Sequence, residues 1–359
     1  MTTAFSRIRW KEAVMTVDTT TVESAWAPSA ARRRHRNPVP AEGTDGLYTQ
    51  SWFAVCRSED IPPGGVLGRE FLGGRVVVYR GVDGKVRVQS AFCPHLGADL
   101  SLGKIVGDTL ACPFHGWEYD GTGRCVRTGI GDPPPPNAML FNFPVREAYG
   151  VVFAFNGREP LYELDMMDVP SDQAVTQVSI LPMKTDPWTF CANVPDFQHF
   201  PPVHRTLRDD IGHYDRIRWH DYGLSFEFTA YLEHGRGATV PFKVSVLGTS
   251  LIYVQSFLPD GRWIGTIAAM SMPRPRYTDI HIVVAIRKGD GSAQTQMAEK
   301  ETLALLTDRF LAMAREDHEL LETAHYTPGH LTRHDQALAR YLDMVRNFPR
   351  ANPAAEFIT

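Results

Sequence analysis

Two short loops constrain this chain more than any other feature: Cys93-Pro94-His95 and, after sixteen intervening residues, Cys112-Pro113-Phe114-His115. Each supplies one thiol and one imidazole, and nearby glycines (Gly97, Gly103, Gly116) suit tight hairpin tips. Four soft or borderline ligands on two short loops make a metal site. Zinc can be held tetrahedrally by two Cys and two His, but the usual zinc finger groups Cys with Cys and His with His, whereas here each loop contributes one of each. The remaining cysteines, Cys56, Cys125 and Cys191, read as ordinary buried thiols. An odd count of five in a chain of 359 residues argues against a disulfide scaffold.

The residues around the loops fall into short alternating or apolar runs, at 74–79, 85–89 and 150–155, separated by turn signals at Asp83-Gly84, Asp120-Gly121 and the prolines 133–136. They predict a small all-β domain over 47–160. Residues 1–46 are rich in Thr, Ser, Ala and Pro and carry the run Arg32-Arg33-Arg34-His35-Arg36, a pattern that predicts a mobile N-terminal arm. Beyond 160 the pattern is mixed. Residues 188–198 read as helix, 225–258, 261–272 and 281–287 as strands, and 294–323 as a long amphipathic helix. The expected fold class is α+β, with a second domain over 161–359 built on an antiparallel sheet with flanking helices.

Composition excludes several roles. Lys plus Arg (37) against Asp plus Glu (41) gives a net charge of -4, so charge does not imply a nucleic-acid partner. The best apolar stretch, 244–258, is interrupted by Ser, Gly, Thr and Gln, so no membrane span is expected. Without a signal-like N-terminal apolar run, the chain reads as soluble and cytoplasmic.

A second constellation lies in the later residues, in Asn193-Val194-Pro195-Asp196-Phe197-Gln198-His199-Phe200-Pro201-Pro202-Val203-His204. Asp196 and His199, three apart, share a helical face. His204 follows five later, about 140° round an ideal helix, so both imidazoles reach one metal only if the helix breaks between them, and Pro201-Pro202 is the expected break. In the late helix, Leu303, Leu306, Phe310, Met313, Asp317 and Leu320 recur at steps of three and four. Asp317 thus sits in a buried stripe, where a bare carboxylate is costly unless paired or metal-bound. Glu316 and Glu319 fall off that stripe, with Glu316 the alternative acidic ligand.

Taken with their surroundings, the motifs resemble those of Rieske non-haem iron oxygenases. The stretches Cys93-Pro94-His95-Leu96-Gly97-Ala98, Cys112-Pro113-Phe114-His115-Gly116-Trp117 and Gly121-Thr122-Gly123-Arg124-Cys125 are similar to the Rieske motif. That resemblance implies a [2Fe-2S] cluster held by Cys93, His95, Cys112 and His115, in which neutral imidazoles raise the potential above that of an all-Cys cluster. The respiratory-chain type adds a disulfide between the loops, and Gly97 and Phe114 stand where its cysteines would be. The spacing Asn-x-x-Asp-x-x-His-x-x-x-x-His is similar to the family's mononuclear iron motif, and Glu316-Asp317 resembles its late acidic pair. By resemblance, His199, His204 and Asp317 would ligate Fe(II) with positions left for dioxygen.

The monooxygenase type is the nearest resemblance, in the manner of aminopyrrolnitrin oxygenase, ketosteroid hydroxylases and O-demethylases. It implies the oxygenase (alpha) component of a multicomponent system, in which a ferredoxin and/or flavin reductase delivers electrons and NAD(P)H enters only through that reductase. It further implies a head-to-tail homotrimer, with Asp196 hydrogen-bonding a Rieske histidine of a neighbour and His199 of its own subunit, flanked by Asn193. The expected reaction is hydroxylation or oxidative demethylation of a hydrophobic, ring-containing small molecule, the alternatives being N-oxygenation of an arylamine or electron transfer alone. Phe226, Phe228, Tyr231, Phe242, Tyr253, Phe257 and Trp263 are candidate pocket residues, of which strand alternation turns half elsewhere.

Overall fold

The computed structural model describes residues 38–204, 216–233 and 236–359, with the backbone alone over the described part of 230–238. The elements below belong to one compact unit, Val39–Tyr326 with Leu331–Thr359. Its first half consists of short strands: β1 (Tyr48–Thr49), β2 (Trp52–Arg57), β3 (Val66–Phe71), β4 (Gly74–Arg80), β5 (Val86–Ser90), β6 (Lys104–Val106), β7 (Thr109–Ala111), β8 (Glu118–Tyr119), β9 (Cys125–Arg127), β10 (Val145–Ala148) and β11 (Val151–Phe155). Three small antiparallel sheets result, ordered β3-β4-β5, β6-β7-β8-β9 and β10-β11-β2. The turn residues act where the sequence placed them. Asp120 Oδ1, for example, accepts the N–H groups of Thr122 (2.8 Å) and Arg124 (3.1 Å) and closes the β8–β9 hairpin.

The second half runs β12 (Ala174–Met183), α1 (Pro187–Ala192), α2 (Phe200–His204), β13 (Arg218–His220), β14 (Gly223–Glu233), β15 (Arg236–Leu247), β16 (Leu251–Phe257), β17 (Trp263–Arg274), β18 (Tyr277–Arg287), α3 (Ala293–Thr323), α4 (Gln336–Arg346), β19 (Arg350–Ala351) and α5 (Ala355–Ile358). Seven strands form one antiparallel sheet, ordered β12-β18-β17-β16-β15-β14-β13. Both faces of this sheet are covered. Leu224, Phe226, Ala268, Met270, Ile280 and Ile282 pack with α1, α4 and Ala314 of α3, while Ile267, Ala269, Val283 and Ala285 pack with Trp52, Ala54, Val151 and Phe153 of β2 and β11. The period-two alternation of strand side chains therefore yields an unbroken apolar run along β17, buried from Trp263 to Met272.

Several expectations need correcting. Residues 1–37 of the expected arm lie outside the described residues, but Val39 (9% exposed) and Glu42 (1%) are part of the core, so the fold begins before residue 47. The expected helix over 188–198 ends at Ala192, and the chain turns through 193–199 before α2 begins. Pro201 and Pro202 do not break a helix. They sit in the first turn of α2, where the missing N–H would have had no intrahelical partner. In α3 the buried positions are Leu303, Thr307, Ala314 and Asp317, whereas Met313 (45%) and Leu320 (54%) face outward. The C-terminus returns to the first half of the chain: β19 pairs with β1, and Ala354 and Ile358 pack among Phe53, Val76 and Phe143.

A buried polar clasp joins these pieces. Glu42 accepts the Thr49 N–H and hydroxyl, both at 2.9 Å, and stands 3.5 Å from Arg350 of β19, while its own N–H donates to Asp186 at 3.2 Å, just ahead of α1. Burial, opposed by the Arg350 charge, pushes the Glu42 carboxyl from 4.5 up to about 7. A carboxyl raised on folding binds its proton more tightly in the native state, so this contribution is full below pH 4.5 and is lost as pH rises through 7. Glu42→Gln should therefore flatten the decline in urea midpoint between about pH 5 and about pH 8, and an unchanged slope would contradict the assignment.

Candidate metal centres

The two Cys/His loops share one frame. Gly97 N–H donates to Cys93 C=O (2.8 Å) and Gly116 N–H to Cys112 C=O (3.2 Å), while Cys93 N–H donates to Ala98 C=O (2.9 Å) and Cys112 N–H to Trp117 C=O (2.7 Å). Each is a Cys-Pro-x-x-Gly-x turn whose glycine has positive φ, 75° at Gly97 and 66° at Gly116, which a side chain would strain. Histidine occupies the third position of the first loop and the fourth of the second. This offset brings the His95 and His115 rings edge to face, 4.7 Å between centroids.

The donors divide by depth. Cys93 (2% exposed) and Cys112 (4%) lie inward, and both histidines are exposed. The Tyr119 hydroxyl stands 3.0 Å from Cys93 Sγ, and Trp117 stacks on His95 at 4.5 Å. Burial pushes the Cys93 thiol up, opposed by the Tyr119 hydroxyl and the His95 N–H, so an ionised sulfur here calls for a nearby cation. Among the described residues, the donor atoms that meet within 4.8 Å of one another in a group of three or more lie elsewhere, so these four do not converge on one ion. Two inner sulfurs and two outer imidazoles fit the two irons of a [2Fe-2S] cluster and do not fit a single tetrahedral zinc.

The second centre is the group that does converge: His199, His204 and Asp317. Nε2 of His199 and Nε2 of His204 are 3.2 Å apart, and Asp317 Oδ1 lies 3.3 Å from the latter and 4.0 Å from the former. Each remaining ring nitrogen is occupied. His199 Nδ1 donates to the Asp196 carbonyl, and His204 Nδ1 to Glu316 Oε2 at 2.8 Å. These partners assign the tautomers, so in the neutral rings both Nε2 atoms carry bare lone pairs. Two lone pairs and a carboxylate oxygen then face one point, a donor set that suits a cation. Ligands about 2.1 Å from a divalent ion and roughly at right angles lie about 3 Å apart, close to the spacing here. Burial holds His199 below its ordinary value. At His204 burial acts in the same sense, but hydrogen bonds and charge from Asp317 and Glu316 leave it raised.

The supporting elements explain this convergence. The chain turns through 193–199 after α1, α2 then carries His204 to within reach of His199, and α3 brings Asp317 from its buried face. Asp196 reaches His199 through its backbone carbonyl, while its carboxylate Oδ1 accepts the Gln198 N–H at 3.2 Å. Burial pushes that carboxyl up. Asn193 is half-buried, and its Nδ2 has no hydrogen-bond partner. Glu316, the alternative ligand in the sequence, instead orients His204 from behind. Trp117 and Tyr119 went unassigned in the sequence although Trp117 closes the second loop motif. Their signal was the step of two that puts both on the cluster side of β8.

Of the pocket candidates, Phe226, Phe228 and Phe242 lie on neighbouring strands, with Phe228 stacked on Phe242 at 5.4 Å and Phe197 edge-on to Phe226 at 5.4 Å. Phe226 and Phe228 belong to the core that includes Ala314 of α3. Tyr253 and Trp263 pack on the opposite face with Trp52 and Phe155, and Phe257 is 49% exposed. The Tyr231 side chain lies outside the described residues.

Residues 51–140 match the Rieske [2Fe-2S] domain family. Among curated relatives, a cholesterol 7-desaturase of Xenopus laevis is 37% identical over 41% of this chain and 31% of its own length, and a probable 3-ketosteroid-9-alpha-monooxygenase oxygenase component of Rhodococcus rhodochrous is 34% identical over 34% and 32%. The chain thus spans about three-tenths of the length of the curated relatives it matches. In fold, the chain is similar over most of its length to the structure of Pseudomonas putida CBB5 NdmA with caffeine (TM-score 0.62, 18% identity, 83% of this chain and 90% of that one). It is likewise similar to a dicamba monooxygenase structure (0.60, 19%, 84% and 96%). Residues 51–140 are thus a Rieske [2Fe-2S] domain. The chain's whole architecture, β domain and helix-backed sheet together, shares the fold of these two structures.

If Glu316 orients His204, then Glu316→Ala should weaken Co²⁺ binding by about 10-fold or more, measured calorimetrically on protein whose mononuclear site has been emptied by chelation. Glu319→Ala, an exposed change on the same helix, should leave the affinity unchanged. Equal affinities for the two variants would refute the orienting role.

Proposed function

We propose that this chain is the oxygenase component of a multicomponent Rieske monooxygenase, which oxidises a hydrophobic, ring-containing small molecule using dioxygen and externally supplied electrons. The observation that carries the reading is the convergence of His199, His204 and Asp317 in the same chain as a Rieske domain. An electron-transfer protein needs only the Cys93/His95/Cys112/His115 loops and gives no reason for a second donor group. His199, His204 and Asp317 would hold the mononuclear iron, leaving a face of its coordination sphere open. When bound, the two metal groups supply electron storage and dioxygen activation.

The remaining chemistry belongs to the chain. Glu316 and the Asp196 carbonyl hold the two imidazoles in the tautomer that leaves Nε2 free, and the cover of α3 and the sheet keeps water from the donors. The cluster of Phe197, Phe226, Phe228 and Phe242 supports an apolar, aromatic substrate surface beside the His199 turn. The names of similar proteins point the same way, towards sterols, caffeine and dicamba.

Docking is supported at the other centre, where exposed Leu96 (65%) and Phe114 (63%) flank the exposed imidazoles. Such an apolar rim suits a second copy in a homotrimer and, in turn, a ferredoxin or flavin reductase. Five cysteines without a disulfide support a reducing, cytoplasmic setting, and no helix among the described residues is long and apolar enough to cross a membrane.

The test is turnover. With a surrogate reductase, NAD(P)H and a panel of hydrophobic ring compounds, the parent should form an oxidised product carrying label from ¹⁸O₂, or release formaldehyde from an N- or O-methyl substrate. His199→Ala should abolish product while the visible spectrum of the cluster stays intact. Product formation by that variant would overturn the proposal.

A further inference from the structure

Behind the His199 turn lies a contact that neither metal centre accounts for. Asp335, 8% exposed, stands immediately before α4, and both of its carboxylate oxygens are engaged. Oδ2 accepts the Thr332 N–H at 2.6 Å, and Oδ1 accepts the Gln198 side-chain Nε2. Gln198 also reaches Thr332 Oγ1 at 3.4 Å and donates its backbone N–H to Asp196 Oδ1 at 3.2 Å. The Asp196 carbonyl in turn accepts from His199 Nδ1. A continuous run of hydrogen bonds therefore leads from the start of α4 through Gln198 and Asp196 to the ring of His199.

The turn at 193–199 has no regular backbone ladder to define it. Its internal bonds run from Asn193, Val194 and Asp196 N–H to the Phe190, Cys191 and Asn193 carbonyls, all at 3.2 Å or longer. A short segment that must place an imidazole nitrogen within a few tenths of an ångström needs an external anchor. Asp335 supplies one from a helix that is itself fixed, since Ala337, Tyr341, Leu342 and Val345 of α4 are all buried in the core. A hydrogen bond from an amide to a buried carboxylate is stronger than a neutral one and directional.

We infer that Asp335 is a positioning residue for the mononuclear site, setting the aim of the His199 ring through Gln198 and the Asp196 carbonyl. The inference rests on the metal-site reading above and adds a residue that touches no donor atom. Its distinctive consequence is that the donor and acceptor can be exchanged. Gln198→Glu sets two carboxylates against each other. Combined with Asp335→Asn, the new amide donates to the carboxylate introduced at position 198 while its carbonyl still accepts from Thr332 N–H, so the tether re-forms with reversed polarity.

The experiment is a Co²⁺ titration of the full, cluster-loaded chain after chelation has emptied the mononuclear site. Affinity is read by calorimetry, and the Co²⁺ site by its electron paramagnetic resonance signal. Gln198→Glu should bind Co²⁺ about 10-fold more weakly with a broadened signal, and Gln198→Glu/Asp335→Asn should return to within about threefold of the parent with the parent signal restored. The cluster spectrum should be unchanged throughout. A Gln198→Glu protein that binds like the parent, or a double variant no better than the single one, would overturn the inference. Should Gln198→Glu lose its cluster and fail to fold, Gln198→Ala carries the same test, with weaker binding expected and parity contradicting. A parent whose Co²⁺ signal is indifferent to His199→Ala would instead overturn the metal site itself, a result separate from any outcome of the exchange.

Discussion

Three electron-rich atoms pointing at one another have to be reconciled with the rest of the fold. Nε2 of His199, Nε2 of His204 and Oδ1 of Asp317 lie 3.2 to 4.0 Å apart, and the outer nitrogen of each ring is already committed to an acceptor. Such an arrangement is repulsive until a positive charge enters it, so the protein must hold it together by other means. It does so with a helix pinned on the sheet, a turn anchored from behind, and carbonyl and carboxylate partners that fix the ring orientations. The core on the helix side of the seven-stranded sheet serves the same end, since α1, α3 and α4 all pack there.

The Rieske loops solve a related problem with different parts. There the two sulfurs are buried and the two imidazoles are exposed, so the charge-bearing end is shielded while the other meets solvent or a second protein. One turn geometry is used twice, and a one-position shift of histidine between the loops is enough to set the rings side by side. Nothing larger than a loop is needed, which is why the surrounding strands can be as short as two or three residues.

Both centres were largely legible in the sequence because their residues act through local frames. Cys-Pro-x-x-Gly specifies a turn by itself, and the position of Asp317 on a buried helical face follows from helical periodicity even though Met313 and Leu320, taken as members of that stripe, face outward. Their exposure shows that the buried face is narrower than the apolar pattern suggested. The break between His199 and His204 was misplaced because proline has two meanings in a helix. Pro201 and Pro202 start α2, and the chain turns earlier, at 193–199, where Asn193, Pro195 and Asp196 are the turn-forming residues. The pairings of Glu42 with Asp186, of Asp335 with Gln198 and of Arg350 in β19 with Glu42 were invisible for another reason: they join residues 144, 137 and 308 positions apart, and no local pattern encodes such contacts.

The central claim is that one chain builds two separate iron-binding centres, and iron stoichiometry addresses it most directly. Fully loaded parent protein, assayed for iron and labile sulfide, should contain about three irons and two sulfides per chain, and the His199→Ala/His204→Ala variant about two of each. Two irons in the parent, or three retained by the variant, would contradict the account.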